Sequence, residues 1–272
     1  MSKATTRDPF RLPQPDGARE TQATQAYHAI RAMILRCELE PGSVINDRVL
    51  GEKLDYGRTP IREALLRLSG EQLILFQSNH SIVVTPVDLD HINHLYTLRL
   101  HLERLAWRLW LEEASDHQIE KLARTFDSVP RLVQAENVEG LLHLDFLFHA
   151  QIYNECRNPF LTHALYNLSG QTYRMWFITN RRDVNAQAAT ALSHAPIIAA
   201  VRKRDTAALD REIEKHIRHA YDDIMDQFIN KTVNRVGEMP VQLLKKGTPN
   251  GTLGSEERQT GDASQASGIN GG

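Results

Sequence analysis

Apolar residues recur at helical spacing through most of the chain and predict an all-α region in its second half. From Asp88 onward, six or so segments carry an apolar side chain every three or four residues, with no strand-like alternation between them. The first begins at Asp88 and has a leucine stripe that we expect to face the core: Leu95, Leu98, Leu102, Leu105 and Leu109. The pattern predicts a helical bundle over residues 87–230.

Capping and breaking residues set the expected bounds of the other helices. Ser115 opens the second helix, which Pro130 breaks or bends before it ends near Ala135. The next, over residues 136–157, is apolar nearly all round. Further helices are expected at about 158–180, 183–204 and 205–230.

Shorter elements precede the bundle, over residues 22–86. A helix with Tyr27, Ile30 and Ile34 at 3–4 spacing leads to two short helices, at residues 47–54 and from about residue 58. Apolar runs at residues 73–76 and 82–85 flank a polar segment, as in a β-hairpin. Three helices followed by a hairpin predict a winged helix-turn-helix, so the fold class is mainly α with an N-terminal DNA-binding domain.

The last short helix offers side chains that suit DNA. Arg58 and Arg62 lie one turn apart on a face away from the apolar stripe, with Thr59 beside them. Arginine can fork onto guanine in the major groove, and hydroxyls can hold phosphate. Either Gly57 or Thr59 can cap the helix. Taken alone this is also the pattern of a solvated basic face, but the neighbouring elements favour DNA binding.

Composition limits these expectations. The 272 residues allow two modest domains, and the net charge is −2. Residues 22–86 contain seven basic and seven acidic side chains, so DNA affinity must come from placement and from pairing two copies. No apolar run approaches membrane-spanning length, which makes a cytoplasmic location the default expectation. Residues 1–21 are expected to be a flexible arm and residues 231–272 a disordered tail.

Two short motifs in residues 22–86 closely resemble the GntR family of bacterial transcription regulators. They are Leu39-Glu40-Pro41-Gly42 and the segment of residues 58–65, RTPIREAL. The resemblance implies that Arg48, Arg58 and Arg62, with Thr59, contact a DNA operator. His80, at the hairpin tip, takes the place of the family's basic wing residues.

Asp145 and His149 stand one turn apart on the helix that is apolar nearly all round. A buried carboxylate needs a cation, a metal or strong donors, and a hydrogen bond to His149 alone would meet that need. Two more histidines occupy suggestive places: His194 at an expected helix start, and His216 in the last helix. From the residues alone, structural histidines and metal ligands both remain open.

Residues 90–228 look like the FCD effector domain found in the FadR-type branch of that family. The resemblance implies that Asp145, His149, His194 and His216 hold a divalent metal ion in the bundle. Such a set of nitrogen and oxygen donors suits Zn²⁺, Ni²⁺, Mn²⁺ or Fe²⁺ and does not choose among them. His143 and His219 are expected to be bystanders. Ser193 stands where the family usually has glutamate.

The same resemblance implies that Arg99 reaches an effector pocket, where its guanidinium suits a carboxylate. The alternative is a surface ion pair between Arg99 and Glu103, four residues apart. Tyr173 is a further candidate for the pocket, although an aromatic residue at helical spacing is equally a core residue.

We therefore expect a dimeric, ligand-responsive regulator, a repressor rather than an activator, that binds a palindromic operator as a homodimer. A small organic acid bound at the metal would weaken operator binding. Two alternatives are a metal-sensing regulator and, less favoured, a metal-dependent enzyme acting on a small organic acid. The main expectation is of no enzymatic activity and no membrane association.

Overall fold

The structure is a computed structural model that describes residues 20–78, 80–180 and 183–237. The predicted arm and tail lie outside these ranges except for residues 20–21 and 231–237. Within the described residues the chain forms the following elements: α1 (Gln22–Leu35), β1 (Val44–Ile45), α2 (Asp47–Leu54), α3 (Arg58–Gly70), β2 (Ile74–Phe76), β3 (Ile82–Val84), α4 (Leu89–Glu113), α5 (Asp116–Ala123), α6 (Val129–Gln134), α7 (Val138–Glu155), α8 (Pro159–Asn180), α9 (Val184–Leu192), α10 (Ala195–Arg202) and α11 (Thr206–Gly237).

The N-terminal elements, which we call the head (residues 22–86), have the predicted helices and hairpin. β2 and β3 pair antiparallel, with Leu75 opposite Val83. The sequence pattern missed β1, which pairs its two residues with β3 and gives a three-stranded sheet in the order β1-β3-β2. Two residues are too few to show alternation, so a strand of this length leaves no periodic signal.

The connection between α2 and α3 is a tight turn. Asn46 caps α2 by accepting from the amides of Arg48 and Val49. Asp55 takes a left-handed conformation (φ 60°) at the C-terminus of α2, and Gly57 is the N-cap of α3, without a side-chain hydrogen bond. A side chain at Gly51 would bring its Cβ within 2.9 Å of the carbonyl oxygen of Tyr56, so this turn requires a glycine.

In the bundle (residues 87–230), two predicted helices are interrupted. Residues 115–135 form α5, a 3₁₀ segment at Arg124–Ser128 and α6. The interruption precedes Pro130, which lies in the first turn of α6, where its missing N–H costs no hydrogen bond. Residues 183–204 form α9 and α10, separated at Ser193 and His194. The last helix extends past the expected end near Asn230, to Gly237.

The predicted leucine stripe of α4 does not face the core as a whole. Leu95 is buried, but Leu98 and Leu105 are 49% and 44% exposed. The buried face of α4 instead carries two tryptophans and a charged pair, Arg99 and Glu103. The stripe prediction was wrong at Leu98 and Leu105. The buried face of α4 includes Arg99 and Glu103, which can lie in the core because they neutralise each other there.

The head contacts α8 of the bundle through a polar junction. Arg31 of α1 is buried and its Nε donates to Glu71, 2.8 Å away. Gln171 of α8 donates to the carbonyl oxygen of Glu71 at 3.1 Å. A Cβ on Gly170 would clash with Nη2 of Arg31, so with any larger residue at this position the Arg31 side chain or α8 must shift.

Candidate functional site

The predicted DNA-contacting residues of the head are all on its surface. Arg48, Arg58, Thr59 and Arg62 are exposed on α2 and the first turns of α3. Arg48 and Arg58 line one open cavity between these helices, with a volume of about 600 Å³. His80 is exposed in the tip between β2 and β3, in a left-handed conformation with φ 63°.

Acidic side chains hold two of these arginines. Nε of Arg48 lies 3.0 Å from Glu52, one turn along α2. Nε of Arg62 lies 3.2 Å from Asp47, which belongs to the first turn of the neighbouring helix. Arg58 has no ion pair with any residue that the structure describes. The surface therefore presents guanidinium groups in spite of the near-neutral charge of the head.

In the bundle, the four side chains predicted as metal ligands come together. Asp145 and His149 project from successive turns of α7, His194 lies between α9 and α10, and His216 lies on α11. One potential ligand atom from each lies within 4.8 Å of all the others. Nε2 of His194 is 3.3 Å from Nε2 of His149 and 3.4 Å from Oδ1 of Asp145.

Hydrogen bonds fix the protonated nitrogen of two of these imidazoles. Nδ1 of His194 donates to the carbonyl oxygen of Ala191 at 3.1 Å. The Ser193 hydroxyl donates to the carbonyl oxygen of Thr190 at 2.7 Å, so it accepts from Nδ1 of His216, 3.0 Å away. In both rings the proton is on Nδ1, and Nε2 keeps its lone pair.

Glu103 orients the third imidazole. It is fully buried and lies 3.2 Å from Nδ1 of His149, while Trp107 donates to it at 3.2 Å and the Tyr153 hydroxyl also donates. Burial opposes ionisation, but His149, Arg99 and the Tyr153 hydroxyl outweigh it and lower the pKa of Glu103 to about 2. The ionised Glu103 accepts a hydrogen bond from Nδ1–H of His149, which leaves Nε2 of His149 as the ligand atom.

The atoms that face one another in the cluster are hydrogen-bond acceptors. Burial lowers the pKa of His194 to about 4 and the pKa of His216 well below its ordinary value, so both rings are neutral near pH 7. Oδ1 of Asp145 is buried and receives no hydrogen bond from any described residue. Imidazole lone pairs and a carboxylate oxygen thus face one another, an arrangement that a divalent cation would stabilise.

Arg99 and Tyr173 both border the cluster. Arg99 pairs with Glu103 at 3.3 Å, as in the alternative considered from the sequence, but the pair is buried, not on the surface. Nη2 of Arg99 is also 3.5 Å from Nε2 of His149. Arg99 and His149 line a cavity of about 20 Å³ together with Asp145, Tyr173 and Trp176. This volume has room for about one water molecule.

Sequence reasoning missed two residues of this site, Glu103 and Ser193. Glu103 was considered only as a partner of Arg99 on the surface, because the apolar stripe placed that face of α4 in solvent. A stripe drawn through Trp107 and Trp110 would have turned Glu103 inward. Ser193 had no periodic signal, since its role depends on the distant α11 lying beside the end of α9.

None of the helices that the structure describes combines the length and apolar character needed to cross a membrane.

Two protein-family models match different parts of the chain. The family model described as "Bacterial regulatory proteins, gntR family" matches residues 22–84. The model described as "FCD domain" matches residues 94–219.

The relatives are transcriptional regulators. The Nta operon transcriptional regulator of Aminobacter aminovorans is 29% identical over 71% of this chain and 90% of its own length. The HTH-type transcriptional repressor RspR of Escherichia coli is 19% identical over 74% of this chain and 87% of its own. The solved structure of E. coli McbR/YncC covers 77% of this chain and 100% of its own at 18% identity, with a TM-score of 0.68, and shows the same fold.

Proposed function

Because the chain belongs to the GntR family of bacterial transcriptional regulators and carries an FCD domain, we propose that it is a metal-dependent, ligand-responsive repressor. Its family and its relatives are transcriptional regulators, so it is a regulator and not an enzyme. The observation that carries the finer proposal is the convergence of Asp145 with three buried histidines, His149, His194 and His216.

In this proposal residues 22–86 read DNA and residues 87–230 hold the metal and the effector and form the dimer. Arg48, Arg58, Thr59 and Arg62 contact the major groove and its phosphates, and His80 approaches the backbone from the wing. The repressor role is favoured by analogy with RspR, a repressor by name. Action on a bacterial operator places the protein in the cytoplasm.

Asp145, His149, His194 and His216 are the residues that would hold a divalent ion in this account. Three imidazoles and one carboxylate suit Zn²⁺, Ni²⁺, Mn²⁺ or Fe²⁺. The bound ion would supply positive charge and coordination positions for a carboxylate. The hydrogen bonds from Nδ1 of the three rings hold each imidazole in the tautomer that coordination requires.

The effector of this proposal is a small organic acid that contacts Arg99 and Tyr173. The Arg99 guanidinium faces the cavity beside His149, and a planar guanidinium suits a carboxylate. Because the cavity measures about 20 Å³, any organic acid must displace lining side chains of α4, α7 or α8. Entry of the effector and movement of the bundle are therefore linked.

Helix α8 is suited to carry that movement to the head. Ser169, Thr172 and Tyr173 line the cavity from one face of the helix. Gly170 and Arg174, on another face, contact the head: Gly170 lies against Arg31, and Arg174 donates to the carbonyl oxygen of Thr85 at 2.6 Å. A displacement of α8 would change both contacts, and linkage requires only that the effector prefers one arrangement.

The homodimer of this proposal uses the outer face of α4. Leu98, Leu102, Leu105 and Leu109, which we call the leucine seam, follow the 3–4 spacing of helices that pair in coiled coils. Leu98 and Leu105 are about half exposed within the described part of the chain. A twofold axis beside this helix would bury the seam against its copy and place two heads on one DNA face.

Substitution of the seam tests the dimer. We expect the double variant Leu98→Lys/Leu105→Lys to be monomeric by light scattering, because lysine in the seam would be desolvated on pairing. Leu192→Lys is the matched control, since Leu192 is 62% exposed on α9. A dimeric double variant would rule out this face.

Operator binding tests the whole proposal. A duplex selected from a random-sequence library by the full chain serves as the operator, with acetate, malonate and succinate as effector probes. In the Zn²⁺-loaded protein we expect one of these acids to weaken binding by roughly 5- to 150-fold. An equal response in metal-stripped protein and in Asp145→Asn would contradict the metal-dependent effector site.

The small cavity favours one alternative, a regulator that senses the metal itself. Room for about one water molecule suits an ion with a water ligand better than an ion with an organic acid. In that case operator affinity would follow metal concentration, and none of the acids would change it. Operator binding measured with and without metal and acid therefore distinguishes the effector hypothesis from the metal-sensing hypothesis.

A further inference from the structure

An ion pair between α2 and α3 restrains one of the DNA-facing arginines. Oδ2 of Asp47 lies 3.2 Å from Nε of Arg62. The Asp47 side chain is 20% exposed, whereas that of Arg62 is 61% exposed. The acid is therefore partly enclosed between the helices, while most of the arginine side chain faces solvent.

The contact with Asp47 leaves the two terminal nitrogens of the Arg62 guanidinium available for DNA. The contact to Asp47 uses Nε, and the two terminal nitrogens, Nη1 and Nη2, are not part of it. Those nitrogens can donate in parallel to O6 and N7 of a guanine. A guanidinium that is held at Nε loses less conformational freedom when it makes this pair of bonds.

Among the described residues, no acid of a second helix pairs with either of the other two arginines of this surface. Arg48 pairs with Glu52 one turn along the same helix, and both side chains are mostly exposed, at 85% and 65%. Exposed pairs of this kind are weak and readily rearranged. Arg58 has no ion pair with a described residue. Arg62 is thus the arginine whose direction the head fixes from a second helix.

Capping of α2 does not require Asp47. Asn46 already accepts from the amides of Arg48 and Val49 at the start of that helix. A carboxylate on a surface that meets phosphates opposes binding to every DNA sequence. Holding Arg62 in one direction is the effect of Asp47 that can discriminate between sequences.

We propose that Asp47 is a specificity-determining positioning residue that directs the Arg62 fork onto the guanine of one base pair in each operator half-site. The inference rests on the proposed role of the head in reading DNA. It assigns base recognition to Arg62. Arg48 and Arg58 are assigned contacts that depend less on the base sequence.

The test compares single-base-pair variants of a duplex selected by the full-length chain. Affinities are measured by fluorescence anisotropy for wild type, Asp47→Asn, Arg62→Lys and the double variant, with Glu52→Gln as the matched control. We expect Asp47→Asn to lose about tenfold discrimination at one base pair per half-site, the position where Arg62→Lys also loses it, and to bind random duplex as well as or better than wild type. The double variant should lose no more than Arg62→Lys.

The outcomes separate this inference from the proposed function. If Arg62→Lys loses discrimination at one position and Asp47→Asn does not, the positioning role of Asp47 is wrong while DNA reading stands. A uniform loss across all positions in Asp47→Asn, with Glu52→Gln unchanged, would make Asp47 structural and also overturn the inference. If neither Arg62→Lys nor Arg48→Ala changes any affinity, the proposed reading surface itself fails.

Discussion

The head and the bundle treat charge in opposite ways. The head keeps its arginines on the surface and balances two of them with nearby acids, as in the Arg48–Glu52 pair. The bundle places Arg99 and Glu103 in its interior, 5% and 0% exposed, beside three buried histidines. Exposed charges cost little on folding and meet an external polyanion directly. Buried charges make folding, protonation and ligand binding depend on one another.

Because of this contrast, substitutions in the head and in the bundle should have different effects. A change on the head surface should alter DNA binding and leave stability nearly unchanged. A change in the buried network should alter stability and metal affinity together, and reach DNA through the contacts between bundle and head, such as those of α8. The following variants test the contrast in order of decreasing effect on the free energy of unfolding.

Removal of the Glu103 carboxylate should have the largest effect. Glu103→Ala leaves Arg99 as a buried cation without its ion-pair partner and removes the acceptor of Trp107 and His149. We expect a loss of about 3–5 kcal/mol in the free energy of unfolding, measured by urea denaturation. Glu52→Ala in the head is the control and should behave like wild type. Equal stability of the two variants would remove the contrast between buried and exposed charge.

A side chain at Gly170 should weaken the junction between the head and the bundle. The Cβ of Gly170→Ala would clash with Nη2 of Arg31, so either α8 or Arg31, with its ion pair to Glu71, must shift. We expect a loss of about 1–3 kcal/mol and faster thermolysin cleavage within the head. Gly70→Ala is matched to it, because a Cβ there meets nothing within 4 Å, and it should be neutral or slightly stabilising. Wild-type cleavage in Gly170→Ala would argue against the α8 junction.

Acidification should destabilise the metal-free bundle. Burial lowers the pKa of His194 to about 4 and that of His216 in the same direction, so the unfolded chain binds more protons than the folded chain below pH 6.5. Stability is therefore full above pH 6.5 and falls as the pH drops toward the folded pKa values. Between pH 6.5 and 5.5 we expect a loss on the order of 1 kcal/mol per histidine. The slope should shrink in His194→Gln, and an unchanged slope would contradict the assignment.

The smallest effect on stability is expected for the head arginines. Arg48→Ala and Arg58→Ala should stay within about 0.5 kcal/mol of wild type, because both side chains are exposed. Each should reduce the slope of log affinity against log salt concentration by about 1 if it contacts a phosphate. Salt slopes identical to wild type in both variants would exclude these contacts.

The sequence was informative where the signal is local. Helix caps such as Asp88 and Ser115, and the hairpin of β2 and β3, follow from nearby residues, and the structure agrees with these expectations. Strand β1 depends on pairing with β3, far along the chain, and the Ser193–His216 hydrogen bond joins the end of α9 to α11, so periodicity could predict neither.

The site shows the same limit. The four candidate ligands were predicted through resemblance to the FCD domain, and the structure brings them within 4.8 Å of one another. Their hydrogen-bond partners were not predicted. From the sequence, Glu103 was considered only in one of two alternatives, as a surface partner of Arg99. The leucine seam, of which Leu98 and Leu105 are exposed, was taken for the core face of α4. Apolar spacing alone does not tell a core stripe from a surface that pairs with another chain.

Binding of one divalent ion by Asp145, His149, His194 and His216 is measured by metal stoichiometry after equilibrium dialysis against Zn²⁺. By inductively coupled plasma mass spectrometry, wild type and the controls His143→Ala and His219→Ala, both altered at exposed histidines, should hold one ion per chain. His149→Ala and His216→Ala should hold markedly less at the same Zn²⁺ concentration. Wild type without bound metal, or the same stoichiometry in all five proteins, would contradict the account.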